Sequence, residues 1–125
     1  MHVWRKEKVT EPFVTPVGEI IHELIGLATD DSSKIHSVAH ITMAPGASSR
    51  KHYHPESEES FYILAGRARM HVDKEEAELK PGEVVLIPPG KGHKIVSIGD
   101  RDLEFLAVCV PAWIPSNTVW LEEET

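Results

Sequence analysis

The spacing of glycine and proline constrains this chain more than any other feature. Pro45-Gly46, Gly66, Pro81-Gly82, Pro88-Pro89-Gly90, Gly99-Asp100 and Pro111 divide it into short segments. Proline has no N–H to donate and glycine reaches left-handed backbone at little cost, so each such point ends an element and begins a turn. Between these points, residues 35–43, 61–64, 67–72, 84–87, 94–98 and 103–110 read as strands, and no segment sustains a helical period. In residues 35–43 the odd positions (Ile35, Ala39, Ile41, Met43) are mostly apolar, while His36, His40 and Thr42 alternate with them. The run 84–87 reads as a buried strand, residues 73–76 as a hairpin tip, and residues 19–25 as a strand or a short amphipathic turn. Short strands between turns at near-regular intervals predict an all-β sandwich or small barrel.

A chain of 125 residues suits one domain, here 1–125, with a polar arm at 1–16 and a distinct tail at 112–125. Trp113 and Trp120 in that tail are expected to pack on the rest of the domain or on a partner subunit. Twenty acidic residues against 13 Lys plus Arg leave a net charge of −7, which argues against nucleic acid and anionic membranes as partners. No apolar run reaches the length of about 18 residues that a spanning helix needs. The first seven residues turn charged before any apolar segment forms, so no secretory leader is expected. The single cysteine, Cys109, cannot make an internal disulfide, and a cytoplasmic location is expected.

Eight histidines is a large number for so short a chain, and His52-Tyr53-His54 is the sharpest local pattern. In extended backbone the two imidazoles project to one face, about 6.6 Å apart along the strand, and can rotate toward a common ion. Glu58 and Glu59 follow at the start of the next strand. Only one of them can share that face, and parity alone leaves the choice open. His93, after the stiff turn Pro88-Pro89-Gly90-Lys91-Gly92, is a third imidazole candidate. Three neutral imidazoles and one carboxylate make an N3O set that leaves coordination positions open for water or substrate. The simpler alternative is a set of packed or surface histidines beside an ordinary solvated acidic edge.

These residues carry a family resemblance. Gly46 to Gly66, with HxH at His52 and His54, resembles the first cupin motif, and Gly82 to His93, with Pro88-Pro89-Gly90, resembles the second. The resemblance implies a double-stranded β-helix, or jelly-roll barrel, over residues 35–111. It also implies metal ligands His52, His54, Glu59 and His93, thereby selecting Glu59 over Glu58. Ser97 stands where the family usually has asparagine. Small members commonly form dimers, so a homodimer is expected.

Counting in steps of two from Glu59 and His93 puts Phe61, Ile63, Ile95 and Ser97 on the cavity face, an apolar lining. A ligated histidine cannot also act as a base, so His40 and Tyr62 are the candidate catalytic proton carriers, with packing the alternative role for His40. Cys109 reads as a core residue, and Arg50, Lys51, Lys91 and Lys94 as surface charge or as attractors of a carboxylate substrate. The resulting expectation is a metal-dependent enzyme acting on a small molecule. Its ion is a divalent transition metal, Mn or Fe being favoured and Zn, Ni, Co or Cu possible, and its chemistry that of a dioxygenase-like oxidoreductase. A non-catalytic binder of a sugar or carboxylate and a sugar isomerase or epimerase are the alternatives.

Overall fold

The computed structural model describes residues 1–122. Eleven strands run along them: Phe13–Val14 (β1), Glu19–Ile25 (β2), Ser37–Met43 (β3), His52–Tyr53 (β4), Glu58–Ala65 (β5), Ala68–Val72 (β6), Glu75–Leu79 (β7), Val84–Ile87 (β8), His93–Ser97 (β9), Leu103–Val110 (β10) and Val119–Trp120 (β11). Two single 3-10 turns, Lys6–Lys8 and Pro115–Asn117, lie in the arm and the tail. The strands pair antiparallel in two sheets, one ordered β1-β2-β3-β10-β5-β8 and the other β11-β4-β9-β6-β7.

Alternation sets which side chains face inward. Along β10, Leu103, Phe105, Ala107 and Cys109 are buried, while Glu104, Leu106 and Val108 are only partly covered. In register with them stand Met43, Ile41, Ala39 and Ser37 of β3 and, on the other side, Ile63, Phe61 and Glu59 of β5. From the second sheet Ala68, Met70, Leu79 and Ile95 join the same apolar cluster, so one core fills the space between the sheets. Burying side chains such as Ile63, Leu103 and Phe105 contributes roughly 1.5–3 kcal/mol each. The turn between β5 and β6 depends on Gly66, whose φ is +79°. A Cβ there would also lie 2.5 Å from the Asp102 carbonyl oxygen.

Three local expectations are corrected. The run 84–87 is the edge of its sheet, with Val84 63% and Leu86 56% exposed, because only alternate residues of an edge strand face the core. The acidic residues 75–79 form β7 rather than continuing the hairpin tip. Arg69 of β6 pairs with Glu76, and Arg67 with Glu78, which lets so charged a strand lie at the sheet edge. Ile35 lies before β3 and is 76% exposed, outside the alternation expected of it. Residues 19–25 are a full strand. Each sheet retains two edges, and no ladder among the described residues closes them into a hydrogen-bonded barrel. No helix is long and apolar enough to cross a membrane among the described residues.

Candidate metal centre and its cavity

Four side chains from three strands and one strand end meet at one end of the inter-sheet space. His52 on β4 stands directly across from His93 at the start of β9, and their ring centroids are 4.3 Å apart. His54, two residues on, brings its ring to 5.0 Å from that of His52. Glu59 enters from the opposite sheet as the second residue of β5, buried between the exposed Glu58 and the partly buried Ser60. The ligand atoms of His52, His54, Glu59 and His93 all lie within 4.8 Å of one another.

The backbone fixes which ring nitrogen is available. Nδ1 of His52 lies 2.7 Å from the Arg50 carbonyl oxygen, that of His54 2.8 Å from the Asn117 carbonyl oxygen, and that of His93 3.0 Å from the Lys91 carbonyl oxygen. A carbonyl oxygen only accepts, so each Nδ1 must carry the hydrogen and donate it. In the neutral rings the Nε2 lone pairs are left pointing inward, where Nε2 of both His54 and His93 sits 3.1 Å from the same Glu59 oxygen. Glu59 Oε1 and His93 Nε2 are buried without a hydrogen-bond partner. Acceptors facing acceptors in a buried space lack positive charge, which a proton or a metal cation would supply. Burial favours the neutral form of Glu59, but His54 and His93 outweigh it and hold the carboxyl at about 2. Burial likewise favours a neutral His54, yet a proton on its Nε2 would bond to the Glu59 carboxylate, and this raises its pKa. His52 has no comparable contact with the carboxylate, and burial followed by the neighbouring His93 pushes it down to about 4.

Local turns position these groups. Gly90, at φ +80°, donates its N–H to the His54 carbonyl oxygen at 2.9 Å, so the Pro88-Pro89-Gly90 turn ties the approach to His93 directly to the HxH segment. Asp73, at the tip of the β6–β7 hairpin, accepts from Gly92 N–H at 3.1 Å and braces the same turn. The tail supplies the carbonyl behind His54. Asn117 also donates from Nδ2 to Ser57 Oγ at 2.8 Å, clamping the loop between His54 and Glu59. The tail tryptophans thus belong to a segment that docks on this chain through β11 and β4.

A cavity of about 710 Å³ opens from the four donors, walled by Ile41, Phe61, Ile95 and Phe105 and bounded by Trp113 and Trp120 of the tail and Trp4 of the arm. His40 and Tyr62 do not face it. Both occupy positions of β3 and β5 that alternate away from the core. His40 Nε2 lies 3.3 Å from Glu104, and Tyr62 is 44% exposed. As candidate catalytic residues they are therefore corrected: Ile41, Phe61 and Glu59 hold the inner parity, and neighbours on a strand cannot share it. Cys109, opposite Glu59 in register, keeps its thiol proton, because burial and the Glu59 charge push it up to about 12. Arg50 stacks over Trp120, Lys91 pairs with Asp73 and Lys94 with Glu122.

The residue missed in sequence is Glu19. It lines the cavity from β2, in register with Met43, and its Oε1 accepts from Thr15 Oγ at 3.3 Å. Burial raises its pKa; the Thr15 hydrogen bond opposes that rise, while the Glu59 charge adds to it. The signal was present in the alternation Glu19, Ile21, Glu23, which places two carboxylates on an otherwise apolar inner face. Glu23 is occupied structurally, accepting the Ala28 N–H at 2.9 Å.

Comparison with known proteins places the chain among relatives. The family model described as "Cupin domain" matches residues 39–109. An uncharacterised protein of Methanocaldococcus jannaschii is 37% identical over 90% of this chain and 89% of its own. An oxalate-binding protein of Thermotoga maritima is 35% identical over 74% of each. Oxalate decarboxylase of Bacillus subtilis, studied for its Mn(II) centres, superposes with a TM-score of 0.77 at 28% identity, over 90% of this chain and 30% of the decarboxylase. The dioxygenase-like oxidoreductase expected above does not stand, since the structural likeness with a Mn(II) centre is to a decarboxylase. The physical reason is that three imidazoles and a carboxylate serve Lewis-acid chemistry as readily as redox chemistry. The buried three-histidine, one-glutamate cluster makes this a metal-dependent enzyme, and its donor set suits a divalent ion of the Mn or Fe kind. The motifs, the two-sheet β architecture and the family match agree: the chain belongs to the cupin family.

Proposed function

We propose that His52, His54, Glu59 and His93 hold a divalent metal and that the protein cleaves carbon dioxide from a carboxylic acid bound beside it. The observation that carries this reading is the orientation of the histidines: all three donate Nδ1–H to backbone carbonyl oxygens, His54 and His93 turn Nε2 toward the buried Glu59 carboxylate, and the ligand atom of His52 lies within 4.8 Å of the others. A bound ion would supply Lewis acidity and a positive anchor for the substrate carboxylate. The walls formed by Ile41, Phe61, Ile95 and Phe105 offer water no hydrogen-bond partner beside that carboxylate. When the carbon–carbon bond breaks, carbon dioxide leaves and the electron pair stays on the remaining carbon. Glu19, in its protonated form, gives that carbon a proton and is reprotonated from water. Thr15 holds the Glu19 carboxyl in place by its hydroxyl. The oxalate-binding and oxalate-decarboxylating relatives support a carboxylate as the ligand class.

The test is metal-counted activity. Protein loaded with Mn should carry one ion per chain by elemental analysis and release carbon dioxide from oxalate or acetoacetate, while His54→Ala should lose both metal and activity. Release that survives in the metal-free variant would reject the proposal.

Two further readings belong with it. Of the residues 1–125 expected as one domain, 1–122 are taken as one unit in which the sheets wrap the cavity as a jelly-roll barrel, and 123–125 lie outside the described residues. Its support is the 46–49 segment, which leaves β3 of one sheet and bonds to β9 of the other through Gly46 N–H to Ser97 O at 2.8 Å and Ser49 N–H to Ile95 O at 2.9 Å. A homodimer is proposed through the β5–β8 end of the outward face of the six-stranded sheet, where Tyr62, Leu64, Val84 and Leu86 are exposed. A monomeric mass by light scattering at micromolar concentration would reject the dimer.

A further inference from the structure

The space above the four donors is large, and its charge is of the wrong sign for a small dianion. At about 710 Å³ it falls in the range that encloses drug-sized ligands, and the six heavy atoms of oxalate would leave most of it unfilled. No arginine lines it among the described residues, and its lysine, Lys8, is exposed at the rim. Against that single cation stand Glu19 and Glu23 on the wall, besides Glu59 itself, and Glu11 and Asp30 at the exposed rim. Of the basic residues nearest the metal motifs, Arg50 stacks over Trp120, Lys91 pairs with Asp73 and Lys94 with Glu122, and neither these nor Lys51 line the cavity. A second carboxylate directed away from the four-donor end would therefore meet either hydrocarbon or another carboxylate, and a charge left unpaired in such surroundings is strongly disfavoured.

From this lining we infer that the cavity takes a monocarboxylate bearing an apolar body of aromatic size, in preference to a dicarboxylate. The carboxylate would sit at the four-donor end, and the body would lie against Phe61, Phe105 and Ile41 toward Trp113. A neutral Glu19 tolerates an apolar neighbour. An ionised one repels a dianion more than a monoanion. The inference rests on the metal-site reading given above and narrows its substrate class away from the oxalate that the relatives suggest.

Three probes separate charge from body. Oxalate, pyruvate and phenylpyruvate each offer adjacent oxygens to a metal; oxalate carries a second charge, and phenylpyruvate adds an aromatic ring. Mn²⁺ in water prefers the oxalate dianion, so a reversed order is due to the cavity. Each is titrated into Mn-loaded protein, followed by tryptophan fluorescence and by the Mn(II) paramagnetic resonance signal. Phenylpyruvate should bind at least tenfold more tightly than oxalate, with pyruvate between them. At a pH high enough to ionise Glu19, Glu19→Gln should strengthen oxalate several-fold and change phenylpyruvate little. Oxalate binding most tightly to the unmodified protein, or pyruvate matching phenylpyruvate, would overturn the inference. A chain that takes up no Mn sinks the metal reading and this inference together, and elemental analysis reports that before any acid is added.

Discussion

Two histidine–carboxylate pairs lie on opposite sides of the six-stranded sheet and have different fates, the inner one joining Glu59 of that sheet to His54, which follows β4 of the other. On the inner face His54 and Glu59 stand 3.1 Å apart, with side chains 4% and 9% exposed. On the outer face His40 and Glu104 stand 3.3 Å apart, with side chains 12% and 36% exposed. The pair itself is nearly the same in both places. The inner pair has two further imidazoles converging on it, each with its remote nitrogen held by a backbone carbonyl. The outer pair has one neighbouring imidazole, His22 across from His40 in register, and no carbonyl behind its remote nitrogen, since His40 Nδ1 is buried without a partner. Burial therefore lowers the pKa of His40, helped by Lys6 and only partly opposed by Glu104. Chemistry at a metal centre comes from convergence and remote hydrogen bonding, and a single close ion pair does not supply it.

Breaking each pair should expose that asymmetry. The largest effect is expected for His54→Ala or His93→Ala, which should lower Mn affinity by roughly a hundredfold or more. His40→Ala should leave the metal count unchanged, and circular dichroism should show the β signal retained in all three. Glu59→Gln comes next, weakening metal binding at least tenfold, whereas Glu104→Gln should shift it by less than twofold. Equal losses in the two glutamine variants would dissolve the distinction between the faces.

Removing the support behind His54 should cost less. Asn117→Ala cuts the link from the tail to Ser57 and loosens the backbone carbonyl that holds His54 Nδ1. A loss of about tenfold in metal affinity is expected, at the low end for residues behind a ligand. Unchanged affinity would show that the tail's carbonyl is held by other contacts.

The smallest effect is a pH dependence of the metal-free protein. His52 sits at about 4 when folded, against an ordinary value of about 6.5 when unfolded, so the unfolded chain binds more protons between those limits. Its contribution is present above pH 6.5 and is lost as the pH falls through 4. Glu59, held at about 2, adds a second loss below the ordinary carboxylate range. His54, whose pKa is raised, contributes oppositely: its stabilisation is complete below its unfolded value and fades as pH rises through its folded one. The melting temperature measured by calorimetry should therefore fall as the pH is lowered from 6.5 to 4. His52→Ala should flatten that limb, and a flat limb in the unmodified protein would contradict the assignment.

Most of the strands and three of the four donors could be read from local pattern. Glycine and proline mark turns through backbone geometry alone, so β3, β5, β6, β9 and β10 were placed to within a few residues. HxH in extended backbone has one outcome for the face its rings share. Strand β7 was missed because five residues with three glutamates resemble a loop until Arg67 and Arg69 are seen beside them. The burial of 84–87 was misjudged because an edge strand and a central one share the same composition, and only neighbours distinguish them.

Local chemistry was enough to declare an all-β chain with three histidines able to reach a common ion, since turn residues and strand alternation act over a few positions. Which glutamate joins them, which way His40 and Tyr62 point and where Glu19 lies depend on registers between strands far apart in the chain. Antiparallel pairing set those registers: a shift of one residue would exchange Glu59 for Glu58 and Ile41 for His40 on the inner face. The family motif anticipated the first of these. Pairing of β2 with β3 brought Glu19 to the cavity, and docking of the tail on β4 put a carbonyl behind His54.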